Sequence, residues 1–251
     1  MAMKTSLNPR EIEHFSKDSA RWWDENGPFR PLHRLGSLRM RYIREQLVSP
    51  FGLDADSLAP FKGLKILDVG CGGGLVCEPL ARLGADVTGI DADENAIGVA
   101  KRHAAGSSLK INYQSATAEE LRAKKHSYSV VLALEIVEHV ADRDFFVRTC
   151  AEMCRPGGLV IFSTLNRTPK SYALGIVAAE HVLRWVPRGT HDWKKFVRPS
   201  ELAASARDAG LREKDVSGYG YNPLTQSFEL SDRYVAVNYF MTFEKADRPK
   251  K

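Results

Sequence analysis

The chain has 251 residues, 43% of them hydrophobic and 27% charged, enough apolar material to bury one sizeable core as an α/β domain with a small cap. Its four cysteines (Cys71, Cys77, Cys150, Cys154) have neither paired metal-ligand spacing nor the density of a secreted disulfide framework, the first seven residues hold no signal-like apolar run, and no segment offers the uncharged stretch of a membrane span. The reading is therefore a cytoplasmic protein, dissolved or lying on a surface, while the net charge of +5 suits a nucleic acid, an anionic membrane or plain solubility and selects none of them.

Asn8 and Pro9 supply an N-cap and a first helical residue, and Ile12, Phe15, Ser19, Trp22 and Trp23 then share a face, which predicts an amphipathic entry helix. Residues 26–31 break it. A second helix is predicted over about 37–48, with most of Arg34, Arg39, Arg41 and Arg44 on a solvated face, and residues 50–62 read as a linker. From Lys65 short β-rich runs alternate with helical ones, the pattern of parallel βαβ units. Strands are predicted at 65–69, 86–91, 110–114, 128–134 and 158–164, a helix at 198–209, and late strands at 211–216 and 234–244 that pair antiparallel. Cys150 and Cys154 read as core residues on one helix face, and the tail from Ala246 as disordered.

The run Leu67-Asp68-Val69-Gly70-Cys71-Gly72-Gly73-Gly74 carries an apolar strand into a glycine loop whose missing side chains let backbone N–H groups approach a ligand. Asp91 ends the next apolar run, and an acid at that strand tip can take both hydroxyls of a ribose. A dinucleotide site needs a third glycine for close helix packing, and that position here is Leu75. Asp68 would repel a diphosphate and pair with the amino group of a methionine moiety. Together these residues point to S-adenosylmethionine. Strand tips converge on one crevice in open α/β sheets, so Leu134 contributes wall, and Thr117-Ala118-Glu119 reads either as an adenine neighbour or as an ordinary helix start.

Glu135-Ile136-Val137-Glu138-His139 follows the fourth strand. On a helix Glu135, Glu138 and His139 share one face and can meet a divalent ion; the oxygen-rich set suits Mg²⁺ or Mn²⁺ and admits Zn²⁺. Two close acids repel until a cation or proton intervenes, but such residues also cap helices or bind water at strand ends. His191 is a candidate fourth ligand or base, or an exposed loop histidine. Residues 171–186 are too apolar for an ordinary surface helix and too short to span a bilayer; with Lys170, Arg184, Arg188, Lys194, Lys195 and Arg198 around them they read as a segment lying on an anionic membrane, or as a buried lid. A metal-dependent RNA 2′-O-methyltransferase would want stacking aromatics beside its groove, whereas the aromatics here gather in the entry helix and the apolar segment, so no nucleic acid is expected. A lipid-binding scaffold without turnover would have no need of the intact glycine loop and acid cluster.

Over nearly its whole length the chain resembles the bacterial ubiquinone-biosynthesis O-methyltransferases, the 3-demethylubiquinol and polyprenyl-dihydroxybenzene class. The likeness is carried by Ala20-Arg21-Trp22-Trp23-Asp24, Pro31-Leu32-His33-Arg34, the glycine loop, Glu138-His139-Val140, Pro156-Gly157-Gly158, Ser163-Thr164-Leu165-Asn166-Arg167, Gly189-Thr190-His191-Asp192 and Tyr221-Asn222-Pro223. It implies a Rossmann-like class I S-adenosylmethionine-dependent methyltransferase: an α/β fold with a mostly parallel seven-stranded sheet, helices on both faces, N-terminal helices and a helical insertion. The organisation is then a helical cap and linker over 1–62, a methyltransferase domain over 63–245 with an apolar and basic insertion at about 168–198, and a tail at 246–251. The resemblance also implies cofactor contacts at Arg39, Gly70, Asp91 and Leu134, and a metal, Mg²⁺ first, at Glu135, Glu138 and His139. The substrate implied is a polyprenylated quinol or phenol, methylated on a catechol-type oxygen at the inner membrane, where other ubiquinone-biosynthesis proteins are expected partners. Where the family often has Asn-Pro and Met, this chain has Gly36-Ser37 and Leu134.

Overall fold

A computed structural model describes residues 5–174, 176, 192–222, 225, 227–231 and 234–247. The chain opens with α1 (Pro9–Ser16), a 3-10 turn at Ser19–Arg21 and α2 (Arg30–Val48). The expected entry helix therefore ends at Ser16, and Trp22 and Trp23 lie beyond it. α2 begins seven residues before its predicted start because Pro31 sits in its first turn, where the missing N–H has no partner to lose.

The α/β part runs β1 (Lys65–Val69), α3 (Cys77–Arg82), β2 (Asp86–Asp91), α4 (Glu94–Gly106), β3 (Asn112–Ser115), α5 (Ala118–Ala123), β4 (Tyr128–Leu134), α6 (Arg143–Met153), β5 (Cys154–Leu165) and α7 (Pro169–Ser171). It closes with α8 (Pro199–Asp208), β6 (Leu211–Asn222), β7 (Ser227–Ser231) and β8 (Asn238–Lys245). The sheet has eight strands in the order β3-β2-β1-β4-β5-β8-β6-β7, one more than the expected seven. Pairing is parallel from β3 through to β5 and antiparallel from β5 through β8 and β6 to β7. The added strand is β7, whose run Ser-Phe-Glu-Leu-Ser is too polar to stand out before β6 folds beside it. β6 runs six residues past its predicted end, through the glycines Gly218 and Gly220. Cys154 opens β5 instead of completing a helix face with Cys150, and both are buried free thiols, as core packing requires.

Side-chain alternation along the central strands divides the core. Ile66, Val130, Leu132 and Ile161 face one layer with Leu35, Leu38 and Leu47 of α2. Leu67, Val131, Ala133 and Phe162 face the other with Val147 of α6 and Leu202 of α8. Burial on both faces is what makes these strands read as unbroken apolar runs, and every residue of β4 is buried. The former linker is part of this packing too, since Phe61 is fully buried.

Candidate active site

The strand order turns back at β1, with β2 and β3 on one side and β4 on the other, so the C-terminal ends of β1, β2 and β4 open onto a crevice. A cavity of about 270 Å³ fills it, and Arg39, Asp68, Gly70, Asp91, Leu134, Glu135, Glu138 and His139 all line it. The eight candidate cofactor and metal residues named here therefore reach one space.

The glycine loop bends through left-handed backbone at Gly70 (φ +73°) and Gly72 (φ +52°). A side chain at Gly72 would also come within 2.3 Å of the Trp22 ring, which the cap lays on the loop. The loop amides serve the fold more than an open cradle: those of Gly70 and Cys71 donate to the Ile90 carbonyl, and that of Gly72 donates to Asp91 Oδ2 at 2.8 Å. Asp91 Oδ1 accepts the Asp93 amide at 2.8 Å, so two backbone donors aim the carboxylate while each oxygen keeps a further lone-pair site. Asp68 is buried, accepts a hydrogen bond from Cys77 Sγ at 3.2 Å, and is pushed by burial up to about 7.

Arg39 stands apart from the solvated face expected of most of the four arginines. It is buried, because Gly36 and Ser37 continue α2 and carry residue 39 round to the crevice side. Its Nη2 lies 3.9 Å from Glu135 Oε1, and its Nε has no partner among the described residues. Leu134 ends β4 and is wall, as expected.

The acid segment is not a helix. Residues 135–139 form a turn closed by the His139 amide on the Ile136 carbonyl, and α6 starts only at Arg143, capped by Asp142. Glu135 holds a left-handed backbone (φ +54°), an uncommon conformation for a residue with a side chain. Its Oε1 accepts hydrogen bonds from Ser163 Oγ at 2.6 Å and Tyr219 Oη at 2.7 Å. Glu138 Oε2 accepts one from Thr164 Oγ1 at 2.8 Å, while its Oε1 is buried without a partner among the described residues. Burial, with Glu135 adding repulsion, pushes the Glu138 carboxyl up. His139 Nδ1 meets Glu11 Oε2 at 2.8 Å. Burial works to lower the imidazole pKa, but the bond to Glu11 and the charge of Glu138 outweigh it and hold it above its ordinary value. Glu11, bonded to His139 first and to Lys195 Nζ at 2.5 Å, is lowered to about 2. The shared-helix-face premise is thus wrong, and among the described residues no three His, Cys, Asp or Glu side chains stand gathered as a ligand set.

Thr117 is an N-cap with a full capping box on Glu120, the ordinary helix start, and with Ala118 and Glu119 it lines the cavity. His191 and most of residues 171–186 lie outside the described residues. Tyr219, Ser163 and Glu11 were not among the candidates. Nothing local marks Glu11; Ser163 opens the Ser163-Thr164-Leu165-Asn166-Arg167 run and Tyr219 stands two residues before Tyr221-Asn222-Pro223, runs that carried the resemblance without a role for either residue.

A family model for a methyltransferase domain matches residues 67–162. Over 242 residues, 96% of this chain and 97% of the relative, the sequence is 49% identical to the ubiquinone biosynthesis O-methyltransferase of Sinorhizobium medicae. The chain belongs to the ubiquinone biosynthesis O-methyltransferase family. The corresponding enzyme of Parvibaculum lavamentivorans is 50% identical over 98% of the chain and 96% of its own length. Among solved structures, magnesium protoporphyrin IX methyltransferase from Synechocystis PCC 6803 with bound S-adenosylhomocysteine shares the fold, at TM-score 0.64 and 17% identity, over 94% of this chain and 97% of that one. A possible histamine N-methyltransferase from Thermotoga maritima shares it at TM-score 0.59 and 18% identity, over 94% and 98%. The O-methyltransferase described here takes its methyl group from S-adenosylmethionine. Among its described residues no helix is long and apolar enough to cross a membrane.

Proposed function

We propose that this methyltransferase moves the methyl of S-adenosylmethionine to a phenolic oxygen of catechol-type polyprenylated intermediates, 3-demethylubiquinol and 2-polyprenyl-6-hydroxyphenol. The observation that carries the reading is the buried Glu138 Oε1, without a partner among the described residues, on the same cavity as Asp91. Asp91 takes the ribose hydroxyls, Asp68 the methionine amino group, and Gly70, Leu134 and Arg39 form the wall around them. Methyl transfer is an in-line displacement in which held geometry supplies much of the rate. The phenol must also lose its proton, and Glu138 Oε1 is the open acceptor, its carboxyl raised by burial toward the range where a base works near neutrality.

A divalent cation is the second way to satisfy that oxygen. The two carboxylates are hard oxygen donors that suit Mg²⁺, the imidazole is a borderline donor that also admits Mn²⁺ or Zn²⁺, and Glu135, Glu138 and His139 would hold the ion once Glu135 and His139 release their present partners. Bound there, it would lower the phenol pKa and orient the two adjacent oxygens.

The polyprenyl tail gives the enzyme a reason to lie on the cytoplasmic face of the inner membrane. Tyr172, Leu174 and Tyr234 are exposed, with the Lys170 ammonium 4.4 Å from the Tyr234 ring centre and the Lys194 carbonyl held by Arg167, which supports an anionic surface as partner. The test is transfer of labelled methyl to a short-chain demethylubiquinol, with EDTA and with Mg²⁺ restored. Product lost with chelator and regained with Mg²⁺ assigns the open oxygen to a cation. Product that survives EDTA assigns it to the proton, and no product under any condition overturns the substrate.

A further inference from the structure

Neighbouring residues at the end of β5 hold the two acids of the turn. Ser163 Oγ donates to Glu135 Oε1 at 2.6 Å, and Thr164 Oγ1 donates to Glu138 Oε2 at 2.8 Å. Successive strand positions send their side chains to opposite faces of the sheet. Ser163 follows Ile161 toward the layer that contains α2, and Thr164 follows Phe162 toward the layer of α6 and α8. The turn at 135–139 therefore straddles the tip of β5, with one acid fastened on each side.

The two fastenings are unequal. Glu135 Oε1 also accepts from Tyr219 Oη, has Arg39 Nη2 3.9 Å away, and belongs to a residue whose amide donates to the Ser163 carbonyl at 3.0 Å. Loss of any one of these contacts leaves the others. Thr164, fully buried, is the only side-chain donor that meets Glu138 among the described residues. The last torsion of a glutamate side chain is broad, so this one bond decides where the second oxygen points. That oxygen, Oε1, is buried without a partner among the described residues, on a side chain that lines the cavity shared with Asp91. A carboxyl with both oxygens unheld would turn to any donor in reach, and a shift of about 1 Å at a reacting group costs on the order of 10²-fold in rate.

We propose that Thr164 is a positioning residue for methyl transfer: its hydroxyl holds Glu138 Oε2 so that Oε1 faces the phenol. Thr164 is not among the residues that line the cavity, so it acts through Glu138 rather than on a ligand. The inference rests on Glu138 Oε1 as the group that meets the phenol's proton or a cation, and Thr164 has the same task in either case.

The test is a double-mutant cycle on the full chain, read by labelled methyl transfer to a short-chain demethylubiquinol with Mg²⁺ present and by calorimetry with S-adenosylhomocysteine. Thr164→Val keeps the branched shape and removes the hydroxyl; it is expected to lower kcat by about 10- to 100-fold with S-adenosylhomocysteine affinity within about 2-fold of wild type. Thr164→Ser puts the hydroxyl back and is expected to return kcat to within about 3-fold of wild type. In a Glu138→Gln background Thr164→Val is expected to cost less than about 2-fold more, because the oxygen to be aimed is already gone. If Thr164→Val does not fold, Thr164→Ala carries the same expectations. Wild-type kcat in Thr164→Val, a loss that Thr164→Ser fails to recover, or a full additional loss in the Glu138→Gln background overturns the proposal while the reading of Glu138 stands. Wild-type turnover in Glu138→Gln overturns that reading and this inference with it.

Discussion

The glycine loop and the acid turn are both strand-end connections on one cavity, yet they hold their carboxylates in opposite ways. At the glycine loop, backbone amides of Gly72 and Asp93 fix Asp91 on both oxygens. At the acid turn, Glu135 sits in strained backbone and depends on Tyr219 and Ser163, and Glu138 has one oxygen that nothing in the described protein satisfies. The first arrangement is complete before a ligand arrives, as a binding site for a constant cofactor needs. The second is incomplete, as a site needs when charge or a proton must arrive with the substrate.

Removing the open oxygen is the strongest way to test that contrast. Glu138→Gln is expected to lower turnover by about 10²- to 10⁴-fold while S-adenosylhomocysteine affinity stays within about 2-fold; single-turnover rates and calorimetry read the two effects, and turnover within 3-fold of wild type would erase the contrast. On the other side, Asp91→Asn removes a charged acceptor and is expected to weaken S-adenosylhomocysteine binding by about 10- to 100-fold, with turnover at saturating cofactor less affected. Tyr219→Phe deletes one hydrogen bond to Glu135 and should lower kcat by about 5-fold with KM for S-adenosylmethionine unchanged. A loss seen only in thermal stability would make Tyr219 packing alone.

The two sides also answer pH with opposite sign. The Asp68 carboxyl, raised to about 7 in the folded protein from an ordinary value near 4, binds a proton that the unfolded chain has already released, so ligand-free stability falls as pH rises from about 4 to 7. Glu11, lowered to about 2, contributes stability that is present above its ordinary value and is lost as pH falls from about 4.5 toward 2. Melting curves across pH on wild type, Asp68→Asn and Glu11→Gln separate them: the first variant should flatten the neutral limb and the second the acid limb. The smallest effect belongs to the periphery, where Lys170→Glu with Lys194→Glu is expected to weaken co-sedimentation with anionic vesicles by about 5-fold per charge; unchanged binding would leave these lysines as solvated surface.

The sequence already carried the central strands, since β1, β2 and β4 are long apolar runs bounded by glycine or acid, and their residues agree with prediction to the position. Asp68, Gly70 and Asp91 were legible because strand-loop-helix geometry puts a strand tip at the crevice whatever the rest of the chain does. The start of α2 was misread because Pro28 and Pro31 look like breakers until one knows that Pro31 lies in a first turn. For Arg39 the helix pattern set only most of the four arginines on a solvated face, and it was the resemblance that implied a place at the cofactor: one polar residue on a helix shows its direction only when the helix is seated.

What the sequence by itself determined is the family, the parallel half of the sheet and the cofactor's identity, because these rest on short unbroken apolar runs and on glycines and acids at fixed spacing. The tertiary structure alone decided that residues 135–139 form a turn, that Tyr219 and Ser163 hold Glu135, and that Ser6 and Glu11 reach across from the N-terminus to Glu119 and His139. Those contacts join residues up to 128 positions apart. Such pairings follow from how whole elements pack, and no local pattern records them, because the energy that selects them is shared among the many side chains that seat the cap on the sheet.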